Sequence, residues 1–148
     1  MAEITRKELL LALVSAGPNP RLAGADLTAL DLTRLDMSGA NMRGAKLMAS
    51  TLREAILKGC NLSYADLQSA QMVGADLDSA NLTGANLSGV NLQSGRLTNA
   101  NLSNVSFNSA NLQGVSMKGA KVDGVKFDER TTWPDGKRGS QGSPASYI

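Results

Sequence analysis

The residues that most often carry chemistry are scarce in this chain. It has no histidine, which removes the commonest general base and the commonest metal ligand. Its one cysteine, Cys60, excludes an internal disulfide framework and any cysteine-based metal site. One acidic pair, Asp76 and Asp78, is expected on a solvated wall, and nothing around it in the sequence supplies a loop or pocket, or a glycine cradle for phosphate. The runs of Asn, Ser and Gly belong to a regular pattern. We therefore assign no catalytic, metal or cofactor-binding residue, and expect no cofactor and no small-molecule substrate.

Charge and length exclude further classes. The chain's 148 residues fit one domain, and its net charge is +2. Residues 21–129 carry ten acidic and ten basic side chains, a neutral balance that argues against nucleic acid as a partner. No apolar run approaches membrane-spanning length, so no membrane contact is expected. Aromatics make up only 3% of the sequence, so its core must be built from Leu, Met and Ala.

What positions these residues is a period of five. Residues 20–129 read without a break as 22 blocks whose third position is large and apolar, from Leu22 to Phe127. Two places earlier the residue is usually Ala, the one between is most often Asp or Asn, and ten blocks close on Gly. Five matches neither the helical period of 3.6 nor the strand period of 2. It makes sense if each block is a short extended side followed by a corner, with the closing residue at a turn position that often requires φ > 0.

Blocks such as 85–89 (ANLSG), 80–84 (ANLTG) and 65–69 (ADLQS) resemble the pentapeptide-repeat family, over about three-quarters of the chain. The resemblance implies an all-β solenoid, a right-handed quadrilateral β-helix in which four blocks make the four sides of one coil. It implies about five and a half coils here, a rod roughly 25 Å long at ordinary strand spacing. Residues one coil apart should then stack. Asn41, Asn61, Asn81 and Asn101 would form an amide ladder, Asp26, Lys46 and Asp66 would alternate in sign, Arg34 would meet Glu54, and Phe107 would stack on Phe127. Leu27, Leu47, Leu67, Leu87, Phe107 and Phe127 should form one inner column. Leu32, Leu52, Met72, Leu92 and Leu112 should form another, leaving no lumen. Cys60 falls at a small inward position, where a buried thiol acts as a small hydrophobe.

The ends must be covered to prevent edge-to-edge association. Residues 1–19 read as a helix and turn. Thr5 with Glu8 forms a capping box, Ile4 with Leu9 a hydrophobic staple, Leu9, Leu10, Leu13 and Val14 an apolar face, and Gly17-Pro18 the stop. Leu9, Leu10 and Leu13 are the expected cap. The rival, a secretory signal, is disfavoured because the apolar run has six residues against about 7–15 and Glu3 and Glu8 intrude. We expect a cytoplasmic protein, with export the alternative. Residues 130–148 hold a cap turn around Trp133, read as a lid or as the anchor of an end-to-end homodimer, and then a Gly/Ser-rich tail expected to be flexible.

Two surface features stand out. Between residues 79 and 117 the only charge is Arg96. This zone, with Asn81, Asn91, Asn101 and Asn111, is a candidate docking wall, because burying it avoids desolvating ions. Met48, Ile56 and Val73 sit at positions normally polar, as singletons. The leading functional expectation is a non-catalytic scaffold or interaction module for a protein partner of unknown identity. The alternative, implied by the family's gyrase-protecting branch, is a DNA-mimicking topoisomerase modulator. The neutral repeat, the lysines Lys118, Lys121 and Lys126 and the lack of that branch's C-terminal dimerising helix all disfavour it. The turns closing on Gly24, Gly39, Gly44, Gly59, Gly84, Gly119 and Gly124 should be type II. The column Ala29, Ala49, Ser69, Ser109 should mostly use another type, because those residues resist φ > 0. A polar replacement at Leu67 is expected to cost several kcal/mol, as much as deleting a buried leucine or more; urea unfolding measures it.

Overall fold

The computed structural model describes residues 4–17 and 19–148, except the side chains of residues 11 and 14–16. Val14 in the apolar face and Pro18 as helix stop therefore lie outside the described residues. From Arg21 onward the chain lies beside itself in parallel bridges, each joining a block to the fourth block after it. Arg21 pairs with Asn41, Asp26 with Lys46, Asp31 with Thr51, Asp36 with Ile56, and so on around each coil. We call these the first to fourth sides. Each side is a single isolated bridge rather than an extended strand, because a corner follows within three residues.

The backbone amides of one block show why the period is five. The Leu27 N–H donates to the Lys46 carbonyl (2.8 Å), the Ala29 N–H to the Met48 carbonyl (2.9 Å), and the Lys46 N–H returns to the Ala25 carbonyl (2.9 Å). The Leu30 N–H closes the corner on the Leu27 carbonyl (3.2 Å). The remaining amide, Thr28 N–H, donates to Asp26 Oδ1 (3.0 Å). In an interior block such as residues 66–70, where the Asp66 N–H also reaches back to the Ala45 carbonyl (3.0 Å), every N–H has its partner, as a packed backbone requires.

That last bond explains the preference for Asp and Asn. The side-chain oxygen closes an Asx turn on the amide two residues on, and the bond recurs at 12 blocks. It also corrects the amide-ladder expectation. Asn41, Asn61, Asn81 and Asn101 do lie in one bridged column, but each turns its oxygen back to its own corner.

The turn expectation fails for the Ala column. All 21 closing residues from 24 to 124 have positive φ, 11 of them not glycine, including Ala29, Ala49, Ser69 and Ser109 at 56–59°. The residue before each corner never does, which is the type II pattern. The ladder decides this: the closing N–H reaches the next coil only from the left-handed conformation, so the side chain yields to the backbone.

The core fills the axis. Leu27, Leu47, Leu67, Leu87, Phe107, Leu32, Leu52, Met72, Leu92 and Leu112 are all at most 1% exposed. Phe127 is only half-buried, since it lies in the last coil, and its ring meets Trp133 edge-on at 5.1 Å instead of stacking on Phe107. Small inward positions from residue 40 to residue 110 are mostly Ala, with Ser50, Cys60, Val90, Gly95 and Val105 among them, whereas the first coil places Leu30 and Leu35 there.

Helix α1, Arg6–Ala16, has the capping box of Thr5 and Glu8. Leu9 is fully buried and Leu13 packs beside it, but Leu10 is 39% exposed. Leu9 and Leu13 share a face at i and i+4, and Leu10 is rotated off it toward solvent. At the other end the tail is folded. Thr132 pairs antiparallel with Arg138, and two 3₁₀ turns follow, Gly139–Gln141 and Pro144–Tyr147.

Replacing Ala49 with glycine removes a left-handed strain of about 1–2 kcal/mol, against about 0.5–1 kcal/mol of added freedom in the unfolded chain. We expect Ala49→Gly to be more stable by about 0.5–1 kcal/mol in chemical denaturation.

Candidate functional site

Among the described residues the buried polar side chains are Ser50, Ser63 and Thr131, with Cys60 the one buried thiol. Cys60 is buried, its thiol donates to the Met37 carbonyl (2.9 Å), and burial pushes its pKa up to about 11, which keeps it protonated. Asp76 and Asp78 are not a solvated pair as expected. Their side chains are 18% and 15% exposed, because Lys58 from the coil before meets Asp76 at 3.3 Å and Arg96 from the coil after pairs with Asp78. Asp78 also accepts from the Thr98 N–H at 2.9 Å, the corner that Arg96 leaves without an Asx partner. Both carboxylates are committed to structure. Among the described residues no three of His, Cys, Asp and Glu gather to hold a metal.

The candidate wall residues do not share a wall. Asn81 and Asn101 lie on the first side, Asn91 and Asn111 on the third, and Arg96 on the fourth. The low-charge zone is thus a band around the rod. Met48, Ile56 and Val73 are likewise on the second, fourth and third sides. Another exposed side chain with an apolar body, Tyr64, lies over Gly84, where a Cβ would sit 2.7 Å from the ring, and under the Arg43 guanidinium at 4.8 Å.

One side is concave. On the third, the columns Thr51, Gln71, Asn91 and Arg53, Val73, Gln93 border a shallow groove of about 440 Å³. Its chemistry is set by the corners. Asn91 and Asn111 spend their oxygens on the Gln93 and Gln113 amides (3.3 and 3.1 Å), which leaves their NH₂ groups free to face outward. Gln93 donates to Gln113 along the rod at 3.5 Å. With Arg53 at one end, the groove offers the Asn91 NH₂ and a guanidinium as donors beside the Gln71 and Gln93 amide oxygens as acceptors. A second crevice of about 350 Å³, between Leu13, Gly17 and Pro20 of the cap and Asp36 and Ser38, is occupied chemically by its own bonds: Asp36 accepts from both Ser38 groups.

The caps use residues that sequence reasoning missed. The Arg6 guanidinium donates to the Asp31 and Thr33 carbonyls (2.6 and 2.9 Å). One coil further on, the equivalent carbonyls of Thr51 and Arg53 accept backbone amides from Leu32 and Arg34. Arg6 thus stands in for two amides of a coil that is not there. At the far end the register slips by one, Asn111 pairing with Thr132. Asp128 fills the slip. Its carboxylate takes the Ser109 N–H (2.8 Å), whose counterpart in other coils goes to a carbonyl, and also the Arg130 N–H (3.0 Å). Thr131 Oγ1 donates to the Phe107 carbonyl (2.8 Å). Trp133 is wholly buried, its Nε1–H donating to the Gly139 carbonyl (2.8 Å), with Tyr147 stacked on it at 5.7 Å. It is a lid, and no surface of it is left to anchor another copy. The Tyr147 hydroxyl donates to Asp135 (2.9 Å), and its burial together with that carboxylate pushes its pKa up to about 12.

A β-bridged rod built of five-residue blocks defines a class of repeat protein. The family model for pentapeptide repeats matches residues 19–47, 45–84, 55–93 and 96–128, and the chain belongs to that family. Its β-helix is a solenoid of these repeats. Among solved structures it is similar to the pentapeptide repeat protein Rfr23 of the cyanobacterium Cyanothece 51142, at 30% identity, covering 87% of this chain and 99% of that one with a TM-score of 0.46. A thylakoid-lumen pentapeptide repeat protein of Arabidopsis thaliana is 31% identical over 67% of this chain and 65% of its own, TM-score 0.44. QnrB1, a plasmid-mediated fluoroquinolone resistance protein, is 23% identical over 72% of this chain and 59% of its own, TM-score 0.46. No curated protein matches. No helix among the described residues is long and apolar enough to cross a membrane.

The bonds to Asp128 hold its carboxyl below the usual 3.8, the Ser109 amide foremost. A depressed folded pKa means that its stabilisation is complete above pH 3.8 and fades as pH falls through the lower folded value. We expect the emission of Trp133, the chain's only tryptophan, to shift red in that acid range. Asp128→Asn should abolish that component of the pH dependence.

Proposed function

We propose that this chain is a right-handed quadrilateral β-helix of about five and a half coils that works without catalysis, as a rigid docking module for a protein partner in the cytoplasm. The observation that carries the reading is the groove of the third side, lined by Gln71, Asn91 and Gln93 with Arg53 at its end. The Asn91 oxygen is bound to its corner, which leaves its NH₂ group outward beside the Arg53 guanidinium, and the Gln71 and Gln93 amides add acceptors, a set that suits the backbone of an extended protein segment. Low charge over most of that side lowers the cost of desolvation on docking. The flat, self-satisfied rod supplies rigidity, so little ordering is lost on binding. No small molecule, cofactor, nucleic acid or membrane enters this reading.

Affinity capture from source lysate tests it. A partner held by the intact protein should be lost when Asn91→Glu and Gln93→Glu put carboxylates into the groove, and kept when Asn81→Glu and Asn101→Glu charge the first side. Equal retention by both variants would refute the groove. Inhibition of gyrase supercoiling at low micromolar protein would replace this reading with the topoisomerase one.

A further inference from the structure

The C-terminal cap covers only part of the last coil. Interior coils bond to the next one on every side by the same three contacts. On the first side these are Leu82 N–H to the Asn101 carbonyl, Gly84 N–H to the Ser103 carbonyl, and Asn101 N–H back to the Ala80 carbonyl. In the last coil the equivalents are the N–H groups of Val122 and Gly124 and the carbonyl of Ala120. Among the described residues none of these three has a hydrogen-bond partner. The cap's own bonds go elsewhere: Arg138 and Gly139 pair with Thr132 and Thr131, beyond the third side. The inward residues beside the open edge are also uncovered. Val122 and Val125 are half-buried, where their counterparts Leu102 and Val105 one coil earlier are completely buried.

An open edge of this kind accepts a further strand. The charge around it selects which. Lys118, Lys121 and Lys126 are exposed and stand on three consecutive sides, and none is ion-paired among the described residues. Asp123 is the one carboxylate on the open side itself, two residues beyond Lys121. In the interior, outward residues one coil apart sit directly above one another, as Arg34 and Glu54 do at 2.9 Å. An incoming segment is therefore read position by position: acidic above Lys121, apolar above Val122, and basic or neutral above Asp123.

We infer that the edge formed by residues 120–124 is a second docking site, separate from the third-side groove, for an extended protein segment with an acidic residue directly before a large apolar one. The segment adds parallel to the last coil as one more side. It takes the Val122 and Gly124 amides with its carbonyls, gives one amide to Ala120, and lays its apolar side chain over Val122 and Val125. The lysines attract such a segment and repel basic ones, which sets partner choice more than affinity.

The probe is a synthetic ten-residue peptide of two tandem Ala-Asp-Leu-Lys-Gly blocks, titrated into the full chain and followed by amide NMR. The expected result is that the Val122 and Gly124 signals shift and their exchange slows. The same peptide with Lys in place of each Asp should bind at least about tenfold more weakly. Lys121→Glu, an exposed substitution that leaves the fold alone, should invert that order. The Asn91→Glu, Gln93→Glu variant should bind the peptide unchanged, so failure of the groove and failure of the edge are told apart. The inference is overturned if the two amides stay still at millimolar peptide, or if both peptides bind alike. It is overturned as well if the same amides respond to protein concentration without peptide, since a second copy would then be the occupant.

Discussion

Everything in this molecule follows from how a five-residue block disposes of its five amides. Two go to the next coil, one to the previous coil, one closes the corner, and one is taken by the Asp or Asn side chain, as for residues 66–70. Leaving one unpaired costs about 1–3 kcal/mol when buried. Holding a non-glycine residue left-handed costs about 1–2 kcal/mol. The corner therefore accepts Ala, Ser, Arg, Glu and even Tyr at positive φ, because the hydrogen bonds it secures outweigh the strain it stores. Side-chain layering comes second: once the corners fix the backbone, large and small inward residues alternate and the axis fills.

This ordering explains what was legible in the sequence. Register, core and cap helix came from leucines, alanines and the Thr5–Glu8 pair, whose roles are set by pattern alone. The Ala29–Ser109 column misled because residue preference was weighed without the ladder that overrides it. Asp and Asn look like a wall-forming habit, whereas their spacing to the amide two residues on is the real signal. The folding of residues 137–148 was hidden by a composition typical of loops. Gly142 nonetheless has a packing reason there, since a Cβ would collide with the Trp133 ring. Leu30 and Leu35, large where Ala is usual, did mark a coil end and could have been read as such.

The candidate site was less legible than the fold. A run of neutral residues 79–117 looked like a face in one dimension, but winding at four blocks a coil distributes it over all four sides. The useful unit is the column. Residues 71, 91 and 111 share one, and 53, 73, 93 and 113 another, and between the two lies the groove. The same winding pairs Asp76 and Asp78 with cations from neighbouring coils rather than leaving them to solvent. Arg6 could not have been found from pattern, because its partners are carbonyls, which every residue has.

The single-residue slip between Asn111 and Thr132 has an evolutionary consequence. Both ends are seated on the coil they touch and on nothing further away. A gain or loss of four whole blocks in mid-rod would hand each terminus an equivalent seat. Any other number of whole blocks would also leave the far seat intact, because Asp128, Thr131 and Thr132 hold only residues 107–112, and would change only the angle about the rod between the two ends. A change that is not a multiple of five would instead break the ladder itself, so length in such a rod is counted in blocks and the relative facing of its two ends in fours.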